Sequence, residues 1–292
     1  MTKEMKQIGR HTKWHACLIK GTTILAISTA LQANNCRGKV SSTLHNSMPD
    51  LMVAQTDEKS FEAMIENTMD ISIPIKTKTN DKPRHWLYAA VSSGDIAKVK
   101  CVLNRLNNDI RDKKAHKNKD FQNLPDTSSG KTALGKAIEK DYTKIINALL
   151  ENPHIVFTAV DKEQRSPLHM AAIHNKKEGF KLVWYKIQGE EKDKAHATKH
   201  LFEKDNQGHS VFASAYLPEP RFNLLGSHAN FNMFKDILNI IKDNLDENHL
   251  NDINKEIMDL KHKDKISKKY AAKLHYAVSE IKHPKPPTSP KK

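Results

Sequence analysis

The sequence predicts an all-α solenoid, in which repeated pairs of short helices stack side by side. Two observations support this fold class. A short box that would begin a helix recurs along the chain, with its apolar position at Leu87, Leu134, Leu168 and Phe212, spaced 47, 34 and 44 residues apart. Each box is followed by small residues and then by apolar residues at helical spacing. One such unit cannot bury its apolar face alone, so about three or more must stack to make a stable core.

The third copy, 161–193, carries the most specific pattern. Residues 161–184 read D-K-E-Q-R-S-P-L-H-M-A-A-I-H-N-K-K-E-G-F-K-L-V-W. Ser166-Pro167-Leu168-His169 stands where the ankyrin-repeat family has Thr-Pro-Leu-His, and Ala171-Ala172 stands where two helices approach closely. The segment therefore resembles an ankyrin repeat, a unit of about 33 residues. The resemblance implies a structural role for His169, hydrogen-bonding the loop backbone together with Ser166.

Three further copies extend the resemblance to residues 80–245. The second copy, 127–159, keeps the apolar positions of a helix pair without the proline. The first copy, 80–112, has Gly94 at the turn between its helices, a position that favours positive φ. The fourth copy, 205–245, is divergent, because the prolines of Leu217-Pro218-Glu219-Pro220 delay its second helix to about Phe231. The insertions between copies are expected to form loops on one face of the array.

The segments on either side of the array have different expected roles. Residues 246–282 predict two amphipathic helices that cap the open end of the solenoid. The tail, 283–292, is basic and rich in proline, and we expect it to be disordered. Residues 34–79 are rich in Ser, Thr, Asn and Asp and predict a flexible linker, with one short helix over Phe61 to Met69.

The first 33 residues resemble an export signal. A basic region precedes the apolar run 21–31, which is shorter than the roughly 20 residues that span a bilayer. Cleavage would follow Ala30 or Ala33, and the protein would be exported to the periplasm, the envelope or a host. Two alternatives stay open. Cys36 would carry a lipid if the segment is a lipoprotein signal, and an uncleaved amino-terminal helix would leave the protein in the cytoplasm.

Composition indicates a basic protein without a nucleic-acid motif. Lys and Arg number 48 against 34 Asp and Glu, giving a formal net charge of +14. Such a charge favours anionic partners, although abundant Lys, Asn and Ile are also typical of AT-rich genomes. The sequence lacks helix-turn-helix, zinc-finger and aromatic-basic patterns, so we expect no specific nucleic-acid partner. The three cysteines predict no disulfide framework, and Cys101 is expected in the core.

Catalytic motifs are missing from the sequence. It contains no G-x-x-x-x-G-K-[ST], no H-E-x-x-H and no G-x-S-x-G. We therefore expect a protein that is not an enzyme and holds no cofactor or metal. The alternative is a metal site or enzyme in an insertion, since His196 and His200 would share one face of a helix.

The resemblance implies a partner-binding surface. In ankyrin arrays the finger tips and the exposed side of the first helix of each repeat line a concave surface that binds proteins. The position just before the box holds Arg84, Lys131, Arg165 and His209, which we name the basic stripe. The neighbouring Lys162, and Ile173 and His174 on the first helix of the third copy, border the same surface.

The sequence thus predicts a monomeric, non-catalytic module that binds a partner protein with an acidic segment. Its composition and amino terminus resemble those of host-directed ankyrin proteins secreted by intracellular bacteria. A lipid-anchored envelope scaffold, with a membrane contact only at its amino terminus, is the alternative.

Overall fold

The computed structural model describes residues 53–68, 85–112, 121–191, 193–217 and 229–282. They all belong to one unit, residues 45–292, and this part of the chain contains helices and no strand. The predicted all-α class is confirmed. The helices, in chain order, are α1 Glu58–Asn67, α2 Trp86–Ser93, α3 Ile96–Arg111, α4 Ala133–Glu139, α5 Thr143–Glu151, α6 Pro167–Ile173, α7 Lys177–Glu190, α8 Lys194–Phe202, α9 Val211–Tyr216, α10 Ala229–Ile241, α11 Glu247–His262 and α12 Lys268–Lys282.

Four helix pairs stack in the order of the sequence: α2–α3, α4–α5, α6–α7 and α9–α10. The first helices form one row, in which α2 packs on α4, α4 on α6, and α6 on α9. The second helices form a parallel row, in which α3 packs on α5, α5 on α7, and α7 on α10. Ala89, Ala137, Ala171 and Ala172 are fully buried between these rows, as their small size predicts. The result is a solenoid with one continuous apolar core.

Local capping begins the first helices where the sequence predicts them. The side chains of Thr132, Ser166 and Ser210 each accept a hydrogen bond from the backbone N–H three residues later. Such a cap satisfies one of the N–H groups that a helix start leaves without a partner. The short boxes therefore define the register of α4, α6 and α9 independently of tertiary packing.

The turns between the paired helices repeat one backbone conformation. The residue two positions before the second helix has positive φ in the first three pairs, at Gly94 (75°), Asp141 (60°) and Asn175 (54°). Glycine adopts this left-handed conformation readily, and Asp and Asn tolerate it better than most residues. The predicted role of Gly94 is confirmed.

The structure differs from the predicted linker over residues 53–68. Phe61 and Ile65 of α1 are buried, and α1 packs against α3. Arg105 of α3 donates hydrogen bonds to the carbonyls of Ile65, Glu66 and Thr68 at 2.9–3.1 Å. This segment is thus a docked cap on the first helix pair and not a flexible linker. The sequence showed the helix, but its docking depends on cations of α3 that are distant in sequence.

The carboxyl-terminal helices cover the other end of the array. The hairpin of α11 and α12 packs on α9 and α10, and buries Leu250, Ile253, Ile257, Leu274 and Val278. Glu256 of α11 accepts hydrogen bonds from the Ser210 hydroxyl and from the Lys204 ammonium. It thereby ties the hairpin to the start of α9, where a following repeat would otherwise stack.

Several predictions concern residues outside the described part of the chain: the export signal, Cys36, Arg84 and the tail after Lys282. None of the described helices is long and apolar enough to cross a bilayer. Cys101 is half-buried and packs against the core from α3.

Candidate partner-binding surface

The loop before each of α4, α6 and α9 forms a finger, at residues 126–131, 161–165 and 205–209. Each finger is built on a buried aspartate. The carboxylates of Asp126, Asp161 and Asp205 each accept two backbone N–H groups of their own finger at 2.8–3.1 Å. These hydrogen bonds satisfy backbone N–H groups of the turns that would otherwise have to bind water. Sequence reasoning missed the three aspartates, although their place five or six residues before each helix cap was a visible signal.

The fingers are also joined to one another. The backbone N–H of Lys162 donates to the carbonyl of Gly130, and that of Asn206 donates to the carbonyl of Glu163, both at 3.0 Å. Each finger is therefore held at a defined height relative to the next. A surface that is ordered before binding loses less conformational entropy when a partner arrives.

His169 links the third copy to the fourth finger. Its Nδ1 lies 2.8 Å from the Ser166 hydroxyl, and its Nε2 lies 3.2 Å from the carbonyl oxygen of His209. A carbonyl only accepts, so Nε2 carries the proton and Nδ1 accepts from Ser166. Burial lowers the pKa of His169, which favours this neutral form. The predicted structural role of His169 is confirmed.

Much of the charge of the basic stripe is compensated within the fold. Lys131 Nζ lies 2.6 Å from a carboxylate oxygen of Glu139. The Arg165 guanidinium lies 2.9 Å from Asp161 and 3.2 Å from Glu163. The sequence alone showed the cations at the finger positions, whereas their carboxylate partners become visible only in the folded chain.

His209, the last member of the stripe, is half-buried beside the hairpin. Burial lowers its pKa, and the nearby Lys265 adds to this effect, while Asp205 opposes it. Lys265 Nζ lies 3.2 Å from His209 Nε2, so this nitrogen accepts a hydrogen bond from the ammonium. We therefore expect His209 to be neutral near pH 7.

A surplus of positive charge remains around Glu139, at the carboxyl-terminal end of α4. Lys131 and Lys136 approach the two oxygens of this carboxylate at 2.6 and 3.6 Å, and the exposed Lys140 ends the helix. Burial lowers the pKa of Lys136, and the charges of Lys140 and Lys131 act in the same direction, while the Glu139 carboxylate opposes them. Two ammonium groups thus share one carboxylate, and a third, on Lys140, is exposed at the end of the helix. We name Lys131, Lys136, Glu139 and Lys140 the Glu139 cluster.

The third copy borders the Glu139 cluster. Burial acts to raise the pKa of Glu139, but the hydrogen bond from Lys131 and the charges of Lys136 and His174 outweigh it, so the carboxylate is ionised. α6 packs on α4, and His174, whose charge acts on Glu139, lies at the end of α6 next to the half-buried Ile173. Sequence analysis missed Lys136. Its spacing from Lys140, one helical turn on the same face, was the available signal.

The histidines of the insertion have separate partners. The insertion is helical, as α8, but His196 Nδ1 contacts Asp193 at 2.9 Å. His200 contacts Glu203 and Glu191 through its two ring nitrogens, both at 3.0 Å. Within the described residues, no group of three or more His, Cys, Asp or Glu side chains is arranged to hold a metal ion.

The comparison with protein families now agrees with the geometry. The family model for ankyrin repeats, in three copies, matches residues 87–195. This part of the chain is an ankyrin-repeat array. A search of curated proteins found no match to the chain. Ankyrin repeats indicate a protein-protein interaction module and are typically non-catalytic. The match spans α2 to α7 and the start of α8, so the pair α9–α10 lies beyond it and its status as a fourth repeat stays a prediction.

Proposed function

We propose that this ankyrin array binds a partner protein through its finger and first-helix surface, and that the Glu139 cluster receives an acidic segment of that partner. The observation that carries the proposal is that two ammonium groups, of Lys131 and Lys136, pair with the single carboxylate of Glu139, while the exposed Lys140 follows at the end of α4. A carboxylate from a partner would find Lys140 exposed and Lys131 and Lys136 already positioned by Glu139. The interaction thus begins from side chains that have lost part of their rotamer freedom.

The neighbouring side chains supply the other elements of a protein interface. Ile173 offers an apolar contact next to the charges, and Lys162 is exposed on the adjacent finger. Interface affinity comes mainly from a few desolvated anchors, whereas charge complementarity acts on the association rate and on partner choice. We therefore assign Ile173 to affinity and the Glu139 cluster to selection of an acidic partner.

The location of the protein is part of the proposal and rests on the amino-terminal sequence. An export signal over residues 1–33 would place the array outside the cytoplasm of the producing cell, as a host-directed effector. A lipid on Cys36 would instead make it an envelope scaffold. The intact mass of the protein purified from its own cells distinguishes a cleaved, a lipidated and an unprocessed chain.

The binding surface is tested with two charge-matched double variants of the full chain. Lys131→Gln with Lys140→Gln removes two charges from the cluster, and Lys100→Gln with Lys144→Gln removes two from exposed positions on the second helices α3 and α5. Each protein is immobilised and used to capture partners from cell lysates. We expect the first variant to lose at least about 90% of a specific partner and the second to retain it.

Two results would contradict this assignment. If both variants captured the partner as well as the parent chain, the Glu139 cluster would be excluded as the binding surface. If both lost the partner equally, only the net charge of the protein would determine binding. Thermal unfolding of both variants checks that the array remains folded.

A further inference from the structure

A second surface lies at the carboxyl-terminal end of the array, between α10 and α12. It is a shallow groove of about 550 Å³, with Phe231, Ala272 and Tyr276 among its lining residues. Phe231 packs edge-on against Tyr270, with 6.4 Å between ring centroids. Tyr276 is 52% exposed and is one of the largest exposed apolar side chains among the described residues. The floor of the groove is therefore apolar and aromatic.

The walls of the groove are basic. Lys235 stands on α10, and Lys269 and Lys273 stand on α12. Within the described contacts none of these three lysines has a carboxylate partner, whereas Lys177, Lys181 and Lys186 on α7 are each paired. The one acidic lining residue, Glu280, lies at the far end of α12. The Lys235 ammonium lies 6.0 Å from the centroid of the Phe231 ring and partly covers it, whereas Lys269 and Lys273 are exposed. The groove thus combines the exposed Tyr276 ring with positive charge that no described carboxylate compensates.

We propose that this groove docks an acidic amphipathic helix of a partner protein. The apolar face of that helix would cover Phe231 and Tyr276, and its flanking carboxylates would meet the lysines on the two walls. From Lys269 to Glu280 the groove follows α12 for about 16 Å at 1.5 Å per residue, which matches about three turns of a bound helix. Docking of an amphipathic helix between two helices is a recurrent mode of peptide recognition.

Charge complementarity selects this occupant and its direction. Carboxylates of the partner helix would be attracted by the three lysines and repelled by Glu280. The bound helix would therefore have its acidic residues toward Lys269 and a neutral or basic end toward Glu280. The groove is built from α10, a second helix, and from α12. It therefore uses none of the residues of the Glu139 cluster, and the two proposals stand or fall separately.

The probe is a synthetic amphipathic peptide, titrated into the ¹⁵N-labelled full chain. It spans about four turns and carries Leu at positions i, i+4, i+7 and i+11, with Glu on the flanking positions of one half and Gln on those of the other half. We expect amide shifts confined to α10 and α12. The variant Lys235→Glu, Lys269→Glu, Lys273→Glu should weaken binding at least about tenfold, because each substitution replaces an attraction by a repulsion.

The matched control changes three exposed lysines at the other end of the protein. Lys59→Glu, Lys100→Glu, Lys144→Glu alters the net charge equally and should keep the affinity within about threefold. Tyr276→Ala should weaken binding at least about fivefold with unchanged thermal unfolding, since this side chain is half exposed in the unbound chain.

Three outcomes would overturn the proposal. The first is equal binding by the lysine variant and its control. The second is equal binding of a peptide with the same composition in scrambled order, which would reduce the effect to charge alone. The third is absence of peptide binding together with lysine-dependent binding to vesicles of phosphatidylcholine and phosphatidylserine in a 7:3 ratio, which would make a bilayer the occupant.

Discussion

Substitution of His169 by alanine is the sharpest test of how the array is held together. The side chain is fully buried. Its Nδ1 accepts hydrogen bonds from the hydroxyl and the backbone N–H of Ser166, and its Nε2 donates to the carbonyl of His209 in the next finger. The bonding at each ring nitrogen contributes about 1 kcal/mol net. The cavity left by the imidazole adds about 1–2 kcal/mol. The His209 carbonyl keeps its bond from the Asp205 N–H at 2.9 Å, whereas the backbone N–H of Ser166 loses its acceptor.

We therefore expect His169→Ala to destabilise the protein by about 3 kcal/mol. Urea unfolding followed by circular dichroism measures this loss, and the melting temperature should fall by about 6–12 °C. Ser166→Ala removes the helix cap but keeps the link to the next finger, and should lose only about 1 kcal/mol. The exposed His262→Ala is the control, expected within about 0.5 kcal/mol of the parent. A loss for His169→Ala no larger than that control would refute the reasoning.

Three further perturbations follow from the structure. Gly94→Ala should lower the free energy of unfolding by about 1–2 kcal/mol in thermal unfolding, because the φ of this residue is positive and the new methyl would lie 3.0 Å from the Tyr142 ring. Gly189→Ala, in open space on α7, should instead raise the free energy of unfolding by about 0.5 kcal/mol. Equal effects of the two substitutions would contradict this expectation. Arg105→Ala should lower the free energy of unfolding by about 2–4 kcal/mol, because it leaves the buried Asp109 without its guanidinium partner. It should also expose residues 53–68 to limited proteolysis, because Arg105 no longer binds the carbonyls at the end of α1. Protection as in the parent chain would show that α1 docks without Arg105. Acidification from pH 7 to pH 5 should lower the free energy of unfolding. Burial lowers the folded-state pKa of four histidines, so the unfolded chain binds protons near pH 6.5 that the folded chain does not, while the raised pKa of His200 opposes this effect. A free energy of unfolding that stays constant across this pH range would contradict the expected decrease. The four are His85, His169, His209 and His275.

The repeat architecture was predictable because its signals are local. The boxes at Thr132 and Ser166 cap their own helices, and Gly94 adopts its turn without help from distant residues. The insertion before the fourth finger was less accessible. Its helical character was only a hypothesis from two histidines, and the separate carboxylate partners of His196 and His200 come from the chain around α8.

The candidate surface was predicted less well than the fold. The finger positions were found from the template, but Arg165 and Lys131 meet carboxylates whose approach depends on the folded finger and helix. The charge that remains at the surface lies instead on Lys140, beside the paired Lys131 and Lys136, and on the lysines beside Phe231 and Tyr276. The sequence does not distinguish paired from unpaired basic residues, because an ion pair forms only when the two charged groups lie within a few ångströms of each other in the folded chain.

The sequence by itself determined the helix pairs and their order, since periodicity, capping and turn conformation act over a few residues. Only the tertiary structure decided that residues 53–68 dock on α3, that α11 ties down the start of α9 through Glu256, and which cations stay without a carboxylate. Those outcomes depend on side chains that are distant in sequence and meet only when the solenoid has stacked.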